Sequence, residues 1–157
     1  CPTSVKDPLW KYKWVQAHEP EAFQKAHKWL DVKESLIARA TGEFVMTRDS
    51  AYSTFLYDTW PGHEGWNEGL CRMYGVEFDH LPHIIECTDV AGTLTARAAQ
   101  DLGLAEGCPV YGGGGDATLK NMPAALGSSK GQRLPWSHGV NTTPFEPAGT
   151  VFTTAII

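Results

Sequence analysis

Pro109-Val110-Tyr111-Gly112-Gly113-Gly114-Gly115-Asp116-Ala117 is the stretch on which the reading of this chain turns. Three residues suited to a buried strand run into four glycines and then a carboxylate. Glycine admits backbone dihedrals closed to other residues and lets a ligand come close to the main chain. Four in succession are costly in folding entropy, and such a loop is retained most readily where something must approach the backbone. Asp116 follows directly, placed to meet a substrate group. The competing reading is a flexible turn whose aspartate caps the next helix. The stretch alone supports both equally.

Working outward toward the N-terminus, Leu104-Ala105-Glu106-Gly107 is a turn that delivers the chain to this strand. Thr95 can cap a helix carrying Ala98, Ala99 and Leu102, with Gly103 as its stop. Val90 to Leu94 reads as a strand or hairpin edge around Gly92, and His83 to Cys87 as an extended piece after Leu81-Pro82. Trp66, Leu70, Met73 and Tyr74 fall at helical spacing before Gly75. Thr59 to Gly65 is a loop, Ala51 to Asp58 is apolar and ambiguous, and Arg48-Asp49-Ser50 is a polar turn after a strand at Glu43 to Thr47. One long helix is expected from Pro20 to about Ala40. Its face is Ala22, Ala26, Trp29, Leu30, Lys33, Leu36, Ile37 and Ala40, and Thr41-Gly42 ends it. A shorter amphipathic helix enters at Pro8 and turns Trp10, Trp14 and Ala17 toward the core. The mixture of helices and strands gives an α/β class.

Beyond Lys120 the texture changes. Asn121, Pro123, Gly127, Gly131, Pro135, Gly139, Pro144 and Pro147 break every period, and no regular element is expected until Thr150-Val151-Phe152. The chain opens on Cys1 without a methionine and closes on an apolar, β-prone run, so a piece of a longer protein is expected. Apolar surface at the two ends would favour a homodimer.

With 157 residues the chain has room for one domain and its core. Hydrophobic residues at 42% and charged residues at 20% are ordinary for a globular protein, and a net charge of −5 argues against a nucleic-acid partner. No apolar run approaches the ~20 residues of a membrane span. Cys1, Cys71, Cys87 and Cys108 form no Cys-x-x-Cys pair and fit no zinc spacing, so free thiols in a cytoplasmic protein are expected. His80 and His83 flank Pro82 and read as surface histidines near a turn, not as metal ligands.

The glycine run lacks the Gly-Lys-Ser/Thr of a Walker loop, and Gly112, Gly113 and Gly115 have the wrong spacing for a dinucleotide fingerprint. No serine sits in Gly-x-Ser-x-Gly. Asp116 is thus the one carboxylate whose setting points to chemistry. It can act as a general base toward a hydroxyl attacking a phosphoryl group, or hold a magnesium ion through water.

Four segments, in this order and spacing, resemble the FGGY family of carbohydrate kinases, in particular its xylulokinase-like branch. They are Lys6-Asp7-Pro8-Leu9 with Lys13-Trp14 and His18-Glu19-Pro20-Glu21; Leu36 to Glu43 with Asp49 to Thr54; Trp66, Leu81-Pro82, Gly92-Thr93-Leu94-Thr95, Ala98, Leu102-Gly103-Leu104 and Gly107 to Val110; and Gly113-Gly114-Gly115-Asp116-Ala117. The resemblance covers residues 4 to 119, and makes 1–157 part of the family's N-terminal domain, matched over 1–119 and divergent over 120–157. It implies an actin-like ATPase, ribonuclease-H-like fold and phosphorylation of a sugar or polyol by ATP with Mg2+. It also implies Asp116 as catalytic base, with Gly114, Gly115, Asp116 and Lys6 on the substrate side. The family's Asp-x-Gly-Thr/Ser phosphate strand is absent, and Pro123 would interrupt the helix that usually follows the base. The fragment alone is therefore expected to be inactive. A non-catalytic fold remnant or partner-binding module, and an actin-like ATPase that activates water, are the other readings.

Overall fold

The computed structural model describes residues 4–115 and the strand at 154–156. Asp116, the divergent tail up to 153, and Cys1 lie outside the described residues.

Pro8 opens helix α1 (Pro8–His18) as expected. Its buried side is Leu9 and Tyr12, however, while Trp10 and Trp14 are 39% and 54% exposed. The recurrence of tryptophan marked the outer face. Tyr12 can go inside because its hydroxyl finds partners there, accepting from the Glu77 N–H at 3.1 Å and lying 2.9 Å from His80 Nδ1. His80 is correspondingly half-buried rather than a surface histidine.

The single helix expected from Pro20 to Ala40 is broken in two. Helix α2 (Pro20–Lys25) ends early, strand β1 (Trp29–Asp31) intervenes, and helix α3 (Val32–Thr41) follows. Consecutive Trp29 and Leu30 are both buried. Asp31 then takes an extended conformation and its carboxylate accepts the Val32 N–H at 2.9 Å, starting α3 afresh. The buried residues of α3 are Glu34, Ile37 and Ala38, and Leu36 of the expected face is 60% exposed.

Glycine stops fall where expected. Gly42, Gly75 and Gly103 adopt left-handed φ of 84°, 64° and 69° at the ends of α3, α5 (Glu68–Tyr74) and α6 (Ala96–Leu102). Thr95 caps α6 by accepting the Ala98 N–H, and Asn67 caps α5 by accepting that of Leu70. The ambiguous segment resolves into helix α4 (Arg48–Tyr52) and strand β3 (Tyr57–Asp58), paired with β4 (Gly65–Trp66).

Two strand pairs position the glycine run. Strand β2 (Val45–Thr47) lies parallel to β5 (His83–Ile85), in register Val45 to His83 and Thr47 to Ile85. Strand β6 (Val90–Thr93) lies antiparallel to β7 (Pro109–Tyr111), with a shift between Val90 and Gly92. Ile37 of α3, Val45 and Ala91 pack between these pairs with Ile85 and Val110. Strand β8 (Thr154–Ile156) pairs antiparallel with β1. A larger core beneath α1 gathers Leu9, Tyr12, Trp29, Leu56, Cys71, Val76 and Leu81. Cys71, Cys87 and Cys108 are free thiols.

Candidate functional site

The glycine run leaves β7 as a held loop. Gly112 N–H donates to Asp89 O and Gly113 N–H to Cys87 O, both at 2.9 Å, which ties the loop to the connection between β5 and β6. Gly112 is glycine because there is no room for more. A Cβ there would stand 2.7 Å from Thr47 Cγ2, 2.9 Å from Glu86 O and 3.1 Å from Ile85 Cδ1. Gly113 is glycine for another reason, its φ of +66°. Gly112 and Gly113 are thus held by their own main-chain bonds, while the other sequence reading, Asp116 as cap of a following helix, falls outside the described residues.

Three side chains from separate elements reach the loop. Lys33, in the first turn of α3, donates from Nζ to Gly112 O at 3.2 Å, Gly113 O at 3.0 Å and Thr47 Oγ1 at 2.5 Å. Thr47, buried at the end of β2, donates its hydroxyl proton to Asp49 Oδ1 at 2.5 Å. Asp49, in the first turn of α4, accepts the Gly115 N–H on Oδ2 at 2.5 Å. Its Oδ1 also accepts the Ser50 N–H at 2.9 Å and the Cys87 thiol at 3.4 Å. Glu34 is fully buried beside this chain, with Lys33 Nζ 3.1 Å from its Oε1. Its oxygens accept no hydrogen bond among the described residues, so the lysine charge offsets the cost of burying the carboxylate.

These contacts set the charge states. Burial pushes the Asp49 carboxyl up, but the Gly115 N–H, the Thr47 hydroxyl, the Lys33 ammonium and the Cys87 thiol outweigh it and hold it below its ordinary value. Asp49 is therefore a carboxylate at neutral pH. Burial, then the charge and hydrogen bond of Asp49, push the Cys87 thiol up, which keeps it protonated and a poor nucleophile.

Among the expected site residues, Gly114 and Gly115 lie in this loop, both partly buried. Asp116 is the next residue in the chain and lies outside the described residues. Lys6 sits exposed in the turn before α1, its N–H donating to Ser4 Oγ at 3.2 Å. No hydrogen bond or ion pair joins it to the loop among the described residues. Lys33 and Thr47 were not singled out from sequence. A signal existed for Lys33, the one cation on an otherwise apolar helical face. Thr47 carried none, since its partners are distant in the chain. No group of three His, Cys, Asp or Glu side chains among the described residues is arranged to hold a metal ion.

A sequence model of the FGGY family of carbohydrate kinases, N-terminal domain, matches residues 2–123. The chain is 34% identical over 117 residues to xylulose kinase of Escherichia coli (strain K12), covering 74% of this chain and 23% of that protein. It is 32% identical over 119 residues to xylulose kinase of Bacillus subtilis (strain 168), covering 76% of this chain and again 23% of the relative. The crystal structure of xylulose kinase from Rhodospirillum rubrum superposes with a TM-score of 0.69 at 26% identity, over 77% of this chain and 25% of that one. The chain thus spans about a quarter of the length of the curated relatives it matches. The fold is the actin-like, ribonuclease-H-like α/β fold of these kinases.

Proposed function

The chain belongs to the FGGY family of carbohydrate kinases, and from that premise we propose that it forms part of the N-terminal domain of a longer kinase acting on a xylulose-like sugar or polyol. The observation that carries the proposal is the held glycine loop that leads directly into Asp116. Asp116 is the general base: its carboxylate takes the proton of the attacking sugar hydroxyl. The hydroxyl oxygen forms a bond to the γ-phosphorus as the bond from that phosphorus to the bridging oxygen breaks, and ADP leaves. ATP with Mg2+ supplies the phosphoryl group. The nucleotide half of the site is assigned to other segments of the longer protein from the family pattern.

The chain's own part is to hold the loop and place substrate against it. Gly114 and Gly115 present backbone to which a sugar can come close, and Lys6 is assigned to the substrate side from the family pattern. The reading further includes a cytoplasmic protein, a homodimer and an isolated fragment without activity. Among the described residues no helix is long and apolar enough to cross a membrane.

The test is ADP release by the full-length protein with a panel of pentuloses, hexuloses and polyols, repeated with Asp116→Asn. General-base loss should cost about 10²- to 10⁴-fold in kcat. Unchanged turnover in the variant removes Asp116 from the mechanism. No sugar-stimulated turnover with any panel member turns the reading to a non-catalytic remnant.

A further inference from the structure

We propose that Lys33, Thr47 and Asp49 are positioning residues for phosphoryl transfer, a chain of ammonium, hydroxyl and carboxylate that grips the loop Gly112–Gly115 by its carbonyls on one side and by its last amide on the other. The proposal rests on Asp116 as the base, since its effect on the reaction passes through the main chain leading into that residue.

An ammonium group has three protons to donate. Those of Lys33 face Gly112 O, Gly113 O and Thr47 Oγ1. A lysine satisfied in this way, with Glu34 as its counter-ion, has no donor left for a phosphate or a sugar. Its work is on the loop. Thr47 is equally committed. Its hydroxyl accepts from Lys33 and donates to Asp49 at 2.5 Å, the shorter of its two contacts with α4, the other being Ser50 Oγ at 3.3 Å, and its side chain is buried. Asp49 carries the chain to Gly115, the residue next to Asp116.

Two main-chain bonds already fasten Gly112 and Gly113 to the connection between β5 and β6. A structural turn would be complete with those. The side chains extend the hold two residues further, toward the base. They come from α3, β2 and α4, so the loop is referenced to three elements rather than to one strand edge. Reacting groups must be placed within a fraction of an ångström, and a displacement of about 1 Å can cost on the order of 10²-fold in rate.

The experiment uses the full-length kinase with xylulose and MgATP, reading kcat and the sugar KM for Thr47→Val, Thr47→Ser, Asp49→Asn and Asp116→Asn. Valine keeps the shape of Thr47 and removes its hydroxyl, and serine restores it. Hydrogen exchange at the Gly115 amide is measured alongside. Thr47→Val and Asp49→Asn should lower kcat about ten- to a hundredfold, with the sugar KM little changed and Gly115 exchanging faster. Thr47→Ser should return both readouts toward wild type. A wild-type kcat in Thr47→Val, a loss that serine does not repair, or a raised KM at unchanged kcat would each overturn the positioning role. If Asp116→Asn turns over like wild type, the base assignment fails and the positioning role falls with it. If Asp116→Asn loses turnover while Thr47→Val does not, only the positioning role fails.

Discussion

Replacing Gly112 by alanine tests the packing of the loop, because two opposing effects can be separated there. Gly112 is not among the glycines with positive φ, so alanine meets no backbone strain. In open space the change would stabilise the protein by about 0.4–1 kcal/mol, through lost freedom of the unfolded chain. The space is not open. The new methyl would lie 2.7 Å from Thr47 Cγ2, 2.9 Å from the carbonyl oxygen of Glu86 and 3.1 Å from Ile85 Cδ1. The Glu86 carbonyl is backbone and cannot swing away. Turning Thr47 aside would break its bonds to Lys33 and Asp49, and hydrogen bonds to charged groups are worth about 1.5–3 kcal/mol. Overpacking of this kind costs about 1–3 kcal/mol, which exceeds the entropy gain. Gly112→Ala should therefore destabilise the full-length protein, read as a lower urea midpoint by tryptophan fluorescence. Gly107→Ala gives the comparison: φ is +77° with nothing within 4 Å of the added carbon, so only the left-handed strain of about 1–2 kcal/mol applies. The two variants also separate in exchange at Gly115, which should quicken in Gly112→Ala alone. A Gly112→Ala protein as stable as wild type, or more so, would refute the close approach of loop, β2 and β5.

Asn67→Ala should cost about 0.5–2 kcal/mol. The Asn67 side chain accepts the Leu70 N–H at 2.9 Å and donates to Asp58 at 3.0 Å, and an unshifted urea midpoint would show that α5 does not need its cap. Tyr12→Phe should cost about 0.5–1.5 kcal/mol by removing the hydrogen bonds to the Glu77 N–H and His80 Nδ1; an unchanged urea midpoint would show that α1 does not depend on them. Burial holds the His80 imidazolium below its ordinary value of 6.5. Its folded pKa thus lies under the unfolded one, the unfolded chain binds more protons in between, and stability is complete above about 6.5 and lost as pH falls through the folded value. Titration of the His80 ring protons by NMR should give a midpoint under 6.5, and a midpoint at or above that value contradicts the buried setting.

What was legible in the sequence was whatever a residue decides with its near neighbours. Gly42, Gly75 and Gly103 end helices because a left-handed residue is needed there and glycine supplies it. Thr95 starts a helix through an amide three residues on. Pro109 to Tyr111 forms a strand, and the glycines follow it as a loop. The failures share one cause. From Pro20 to Ala40 the apolar spacing fits a helix, yet Trp29 and Leu30 are drawn into an extended segment because both are buried in the packed interior, one against Leu9 and Tyr12. Asp31 starts a new helix only because tertiary packing has already drawn the two residues before it into a strand. The tryptophans of α1 misled for the same reason, since a polar-tipped tyrosine has hydrogen-bond partners some 65 and 68 residues away. The candidate site is the extreme case. Asp116 stands out in the sequence because a glycine run announces itself locally, whereas Lys33 meets Gly113 across 80 residues and Asp49 meets Gly115 across 66. A group that acts on substrate tends to sit in an unusual local sequence, and a group that holds it in place is defined by contacts that no local pattern contains. Gly112 gives Thr47 room to come beside the loop, and that room is what lets side chains from α3 and α4 hold the main chain from Gly112 to Gly115.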